Sequence, residues 1–275
     1  MQKVLAPTDF SEPSVNAVTW AADLACVSGA ELYVLHVSPL PASYSEIPPP
    51  ASLIQDIGSK AEQRMRELKE MLLQHTHDSI RIHTQISQGD ILLGIESLAD
   101  KITPFAIVMG PEREGPLQRL LAGSHTLAAA KQSRYPIIVV PENCHFSKLK
   151  RIGLGVELSE VIETIPVDFI RQLQQQFHAS LYVLHINIVA GAMLAGKRKE
   201  EAGWLVELLE DLEPQYHYLY QENVEEGLCR YAEKYQLDIL IVFPHRRNSI
   251  TKLFFQGHTH DLALHSPIPI LFFHD

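Results

Sequence analysis

The chain has 275 residues, 46% of them hydrophobic, and a formal net charge of −10. This supplies apolar material for two cores of about 100–150 residues each, and the acidity disfavours non-specific binding to nucleic acid. No apolar run approaches the roughly 18 residues of a membrane span, and the opening Met-Gln-Lys-Val-Leu-Ala-Pro-Thr-Asp does not read as a signal peptide. Cys26, Cys144 and Cys229 have no Cys-x-x-Cys spacing and fit a reducing compartment. These features predict a cytoplasmic protein with no membrane partner and no nucleic-acid partner.

In chain order, Val4–Ala6 is a short apolar run ending in Pro7-Thr8-Asp9. Asp9 or Ser11 can cap the next segment, with Pro13 in its first turn, and Val15, Val18, Ala22 and Ala25 recur at helical spacing up to Ser28-Gly29. Leu32–Val37 is almost wholly apolar, as suits a strand covered on both faces of a parallel sheet. Residues 38–51 hold five prolines and predict a loop. A charged amphipathic helix over Lys60–Leu73 and an edge-like strand over Ile80–Ile86 come next. Asp90 begins a helix running to about Ile102; Phe105–Met109 and Ile137–Val140 are buried strands with a further helix between them, starting at Leu117 or Ser124.

The second half runs through the same sequence of events. It predicts strands at Ile152–Val156, Leu181–Ile186, Tyr216–Tyr220, Ile239–Phe243 and Ile268–Phe272. Helices are expected at Pro166–Phe177, Lys197–Leu212, Val224–Tyr235 and His258–Leu264. Residues 31–37, Glu-Leu-Tyr-Val-Leu-His-Val, and 180–186, Ser-Leu-Tyr-Val-Leu-His-Ile, are nearly the same words. A repeat of this length means two copies of one domain, with bounds at 1–142 and 148–275. Alternating strands and helices predict an α/β protein of two tandem doubly wound parallel sheets with right-handed crossovers. Such sheets bind ligands beyond the carboxyl ends of their strands, which places Pro7, Thr8, Asp9, His36–Ser38 and Met109–Gly123 around one crevice.

The loop after the fourth strand reads Met109-Gly110-Pro111-Glu112-Arg113 and leads to Gly123-Ser124-His125 at the head of a helix. Glycine lets a backbone approach phosphate, and free amides at a helix N-terminus favour an anion. It is not a Walker A loop, since Pro116 stands where the lysine belongs. Taken together, Ala6-Pro-Thr-Asp9-Phe-Ser11, Val34-Leu-His36-Val37, Val108-Met-Gly110, Arg119-Leu-Leu-Ala-Gly123-Ser124 and Pro136-Ile-Ile-Val-Val-Pro141 resemble the universal stress protein family. The resemblance covers essentially the whole chain, as two tandem copies. It implies five-stranded parallel sheets in the order 3-2-1-4-5, of the Rossmann-like, adenine nucleotide alpha hydrolase-like type. It also implies a stress-response role and, as in some members, binding of ATP or another adenine nucleotide, with magnesium as a companion of that nucleotide.

The family's nucleotide motif is G-x2-G-x9-G-[S/T]. Mapped here, Gly110 is its first glycine, Gly123 its third, Ser124 the phosphate-facing hydroxyl, and Arg113 replaces the middle glycine. By the same resemblance Asp9 meets ribose or adenine, Val37 contacts adenine through its backbone and Met109 lines the base pocket; Pro7, Thr8 and His125 complete the candidate set. Arg113 either obstructs the phosphate turn or supplies charge to it. In the second copy Phe243, Arg246, Gln256 and Gly257 take the motif positions and Glu157 that of Asp9, so this half is expected to have lost the site. Its role is then structural or in binding a protein partner. Many members pair through the fifth strand, which implies a pseudo-dimer within this one chain; a homodimer would use other surfaces.

Other constellations are weaker. His245, His258, His260 and His265 lack the spacing of a zinc site. His36 and His185 sit at equivalent strand ends, where a structural bond outweighs a catalytic role. Neither a Ser-His-Asp order nor a magnesium carboxylate cluster can be assembled. Three readings remain: a non-enzymatic nucleotide-binding module, an interaction scaffold without nucleotide, and a slow ATP hydrolase.

Overall fold

A computed structural model describes residues 2–38, 51–111, 129, 133–158, 160–187, 196–221, 223–243 and 266–273. The chain divides into two units, Met1–Phe146 and Ser147–Asp275.

In the first unit the apolar run at the start forms β1 (Lys3–Pro7). It leads into helix α1 (Glu12–Ser28), capped by Ser11 in extended conformation with Pro13 in the first turn. Gly29 ends α1 in the left-handed region at φ 67, where a side chain would be strained. Strand β2 (Glu31–Ser38) follows, then α2 (Ala51–His75), β3 (Ile82–Gln88), α3 (Ile91–Ile102), β4 (Ala106–Met109) and β5 (Ile137–Val139). The strands are parallel and ordered β3-β2-β1-β4-β5, so the chain reverses its direction of growth between β1 and β4. β1, β4 and β5, in the middle and on one side, are buried nearly throughout; β3, at the margin, does not alternate as expected but buries Ile82 and exposes His83, Thr84 and Gln85 in a row. This is why Leu32–Val37 reads as a continuous apolar run and β3 does not.

The second unit repeats the pattern. Its elements are β6 (Arg151–Gly155), α4 (Val161–Thr164), α5 (Val167–Phe177), β7 (Ser180–Asn187), α6 (Lys197–Leu208), a 3-10 turn (Glu210–Leu212), β8 (Gln215–Tyr220), α7 (Val224–Tyr235), β9 (Ile239–Val242) and β10 (Ile270–Phe272). All its strands are parallel, ordered β8-β7-β6-β9-β10, which is again 3-2-1-4-5.

Several element bounds differ from the sequence reading for local reasons. α2 starts at Ala51, within the stretch expected to be loop. The helix expected over Pro166–Phe177 is preceded by the short α4, because proline excludes α conformation from the residue before it and Ile165 sits at φ −95, ψ 112. The helix expected over Lys197–Leu212 stops at Leu208 and continues as a 3-10 turn. His75, expected in a solvated turn, closes α2 and bonds Asp23 Oδ1 at 2.8 Å. The helices expected near Ser124 and at His258–Leu264 lie outside the described residues, apart from Ala129. No helix among the described residues is long and apolar enough to cross a membrane.

Candidate functional site

The sharp passage from β1 into α1 is fixed by short side chains bonding their own backbone. Thr8, buried at the end of β1, accepts the Phe10 amide on Oγ1 at 2.9 Å and shares a hydrogen bond with Ser14 Oγ, also 2.9 Å. Asp9 Oδ1 accepts the Ser11 amide at 2.9 Å and the Ser11 hydroxyl at 2.6 Å. These two overlapping turns force Phe10 between them into the left-handed region at φ 64. Burial would raise the Asp9 carboxyl, but the bonds from Ser11 and Ser14 outweigh it and hold Asp9 below the usual carboxylate range. Asp9 is therefore an exposed, pre-oriented anion. The first amides of α1 are already spoken for: Ser14 N–H reaches Ser11 Oγ and Val15 N–H reaches the Ser11 carbonyl. An anion gains little at that helix head.

Across the direction reversal, Gly110 follows β4 and presses against the head of α1. A Cβ at Gly110 would stand 2.5 Å from the Pro13 carbonyl oxygen and 3.2 Å from the Ser14 amide nitrogen. Only glycine permits that approach without moving backbone. Met109 is buried, and its carbonyl accepts the Val140 amide at 2.9 Å. On the other side of β1, the Val37 side chain is buried against α3, where its Cγ2 lies 2.8 Å from the place a Cβ of Gly94 would take. Val37 thus has its side chain committed to packing, and it stands in the β2–β3 ladder opposite Ser87.

The structure brings Asp9, Phe10, His36 and Ser38 to one open recess of about 500 Å³, which Lys60, Arg64 and Glu67 of α2 also line. That volume suits a ligand of nucleotide size. His36 Nδ1–H donates to the Thr8 carbonyl at 2.8 Å, so this histidine fastens β2 to the end of β1. Pro7, Thr8, Val37, Met109 and Gly110 do not line it, so the one crevice expected from the sequence is not gathered here as a whole. Arg113, Gly123, Ser124 and His125 lie outside the described residues. Phe10, Lys60 and Arg64 were not singled out from sequence. Phe10 could have been noticed as a bulky residue wedged between two turn-forming side chains, and Lys60 and Arg64 as a basic pair four apart on one helix face.

The second unit keeps the scaffold bond and changes the rest. His185 Nδ1–H donates to the Val156 carbonyl at 3.1 Å, the counterpart of His36 to Thr8. Where Gly110 meets α1, Phe243 meets the break between α4 and α5. Phe243, Glu157, Thr164 and Ile165 surround a hollow of only about 20 Å³, room for about one water. The helix start there is held by Glu201, a buried carboxylate whose Oε2 accepts the Val161 amide at 3.0 Å and whose Oε1 lies 4.0 Å from Lys197 Nζ. Leu158, which takes the place of Phe10, is buried and is not left-handed. Among the described residues no three metal-ligating side chains converge, and the four histidines weighed for zinc lie outside those residues.

Parallel sheets in the order 3-2-1-4-5, with a ligand-sized recess at the carboxyl ends of β1 and β2 in the first unit, define a duplicated Rossmann-like protein. The sequence profile of the universal stress protein family matches residues 1–141 and 148–274, and the chain belongs to that family. A universal stress protein of Methanocaldococcus jannaschii is 31% identical over 147 residues, covering 50% of this chain and 81% of the relative. The crystal structure of a universal stress protein from Archaeoglobus fulgidus superposes with a TM-score of 0.71 at 16% identity, over 98% of this chain and 94% of that one. A structure from Pseudomonas aeruginosa gives a TM-score of 0.60 at 10% identity, over 100% of this chain and 93% of that one. At these identities the two structures speak for the fold.

Proposed function

We propose that the first domain binds ATP or another adenine nucleotide, and that the chain acts as a non-enzymatic module of the stress response. The second domain then serves structure or partner binding. The observation that carries this reading is the recess of about 500 Å³ beside the oriented Asp9, with Gly110 packed on the Pro13 backbone across β1 where the second domain has Phe243. One domain has a ligand-sized recess at the carboxyl ends of its strands, where such sheets bind ligands, and the other carries phenylalanine at the position of Gly110.

In this reading Asp9 accepts from ribose or base, the Val37 backbone meets adenine, and Gly110, Gly123 and Ser124 form the phosphate turn. Arg113 adds charge to that turn, and magnesium, where present, rides on the phosphates. The substitution of the motif's middle glycine by Arg113 favours a second reading, an interaction scaffold whose turn is closed to phosphate. Titration of the purified full chain with ATP separates them, repeated on Gly123→Asp and with turnover measured alongside. Saturable binding that the substitution abolishes, without phosphate release, is the expected outcome. Absence of binding by the unsubstituted chain favours the scaffold, and phosphate release with turnover makes the protein a hydrolase.

A further inference from the structure

The two domains put different chemistry on β3 and β8, the strands at the outer end of each domain's strand order. Each has a neighbouring strand on one side only among the described residues, and soluble proteins guard such edges with polar or charged side chains. β3 follows that practice. It exposes His83, Thr84 and Gln85, and His83 is occupied, stacked on Tyr33 at 4.4 Å and bonded to Glu31 Oε2 at 3.0 Å. β8 reads Gln-Tyr-His-Tyr-Leu-Tyr, with no Asp, Glu, Lys or Arg and no proline or glycine. Tyr218 and Tyr220 are 47% and 48% exposed, and Trp204 and Val206 of α6 are 40% and 45% exposed. In the first domain, Met71 is the one large hydrophobic side chain that α2 exposes among the described residues.

The tyrosines of β8 share a face. Tyr216 donates its hydroxyl to the Leu205 carbonyl of α6 at 3.5 Å, Tyr218 lies against His185 with ring centroids 6.2 Å apart, and alternation sets Tyr220 beside them. The opposite face is closed, since His217 packs on Tyr231 and Tyr235 of α7 at 5.1 and 4.9 Å. β8 therefore presents its outer backbone edge and a row of rings on the α6 side. α6 itself is charged against its own dipole. Lys197, Arg198 and Lys199 stand in its first turn, where Glu200 is the one acid, and Glu207, Glu210, Asp211 and Glu213 stand at its end and just beyond. Cations at a helix N-terminus and carboxylates at its C-terminus are unfavourable, so helix stability does not account for this arrangement.

A second copy of the chain answers both features. Two identical edges meet antiparallel about a two-fold axis normal to the sheet, which keeps both copies of α6 on one side. With the axis at Tyr218, that residue faces its own counterpart and Tyr216 faces Tyr220 of the partner subunit, giving aromatic cross-strand pairs along one face. α6 is the crossover between the parallel strands β7 and β8 and runs against them, so the two copies of α6 are antiparallel as well. The basic start of each then lies beside the acidic end of the other. Elsewhere a chain of net charge −10 repels its copies; here the charges attract. We propose that the chain forms a homodimer by antiparallel pairing of β8 with the β8 of a second copy, clamped by the complementary ends of α6. The inference gives the second domain its partner and is independent of nucleotide binding in the first.

The test is analytical sedimentation of the full chain over a range of concentrations, with three variants beside it. These are Tyr218→Lys, the pair Arg198→Glu with Lys199→Glu, and the pair Glu207→Lys with Glu210→Lys. The unsubstituted chain is expected to sediment as a dimer. Tyr218→Lys sets two ammonium groups at the axis and is expected to weaken dimerisation about tenfold or more, with an unchanged far-UV circular dichroism spectrum because the side chain is half exposed. Each charge variant is expected to be monomeric alone, and their equimolar mixture to form a heterodimer, a recovery that loss of folding cannot produce. A monomeric unsubstituted chain, a dimer untouched by Tyr218→Lys, charge variants that dimerise alone, or a mixture that stays monomeric overturns the proposal.

Discussion

At the end of the second strand of each domain a histidine donates Nδ1–H to the carbonyl at the end of the first: His36 to Thr8 and His185 to Val156. The bond fixes the tautomer, leaving Nε2 as the unprotonated nitrogen. In the first domain that side of the ring faces a recess; in the second, His185 Nε2 is buried without a hydrogen-bond partner. Burial depresses the His185 pKa, the Val156 bond opposes this, and the charge of Arg198 adds to the depression. In the unfolded chain the ring takes a proton near its ordinary value, whereas the folded chain resists it. Between those values the unfolded state binds more protons, so stability rises with pH and is lost on acidification from about pH 6.5 downward. His185→Asn is expected to flatten that part of the melting-temperature profile; an unchanged slope would show that His185 does not set it.

At the scale of elements, the head of α1 and the end of β4 are built for each other. Gly110→Ala puts a methyl 2.5 Å from the Pro13 carbonyl oxygen, and backbone rather than a flexible side chain must give way. We expect a loss of about 1–3 kcal/mol in urea denaturation, and a change under about 0.5 kcal/mol, the size of an ordinary surface substitution, would refute the wedge. Much at this scale was legible in the sequence. Asp90 capping a helix from Ile91, Gly29 ending α1 and the all-apolar runs of the inner strands follow from local chemistry alone. The break at Ile165-Pro166 followed from a known rule too, yet the residues of α4 before it carry no periodic signal long enough to announce a helix. The site was half legible. Asp9 and Gly110 stood out by pattern, whereas the meeting of Phe10 with Arg64 depends on where α2 crosses the sheet, and no local motif encodes that.

The whole molecule carries one scaffold twice and one candidate site once. Both domains keep the strand order, the histidine bond and a carboxylate at the end of their first strand, Asp9 or Glu157. They differ after the fourth strand, where Gly110 packs on the Pro13 backbone in the first and Phe243 stands beside a hollow of about 20 Å³ in the second, and the first has in addition a recess of about 500 Å³ between the ends of β1 and β2 and helix α2. The replacement is coordinated across elements. The larger side chain after β9 is accompanied by a broken helix after β6 and by a buried glutamate that caps the rebuilt start. Such linked changes set the second domain apart from the first, and that asymmetry is the centre of the proposed function. It is tested most directly by the stoichiometry of ATP binding to the full chain in a calorimetric titration. The account predicts one nucleotide per chain at saturation, and two per chain, or none, would contradict it.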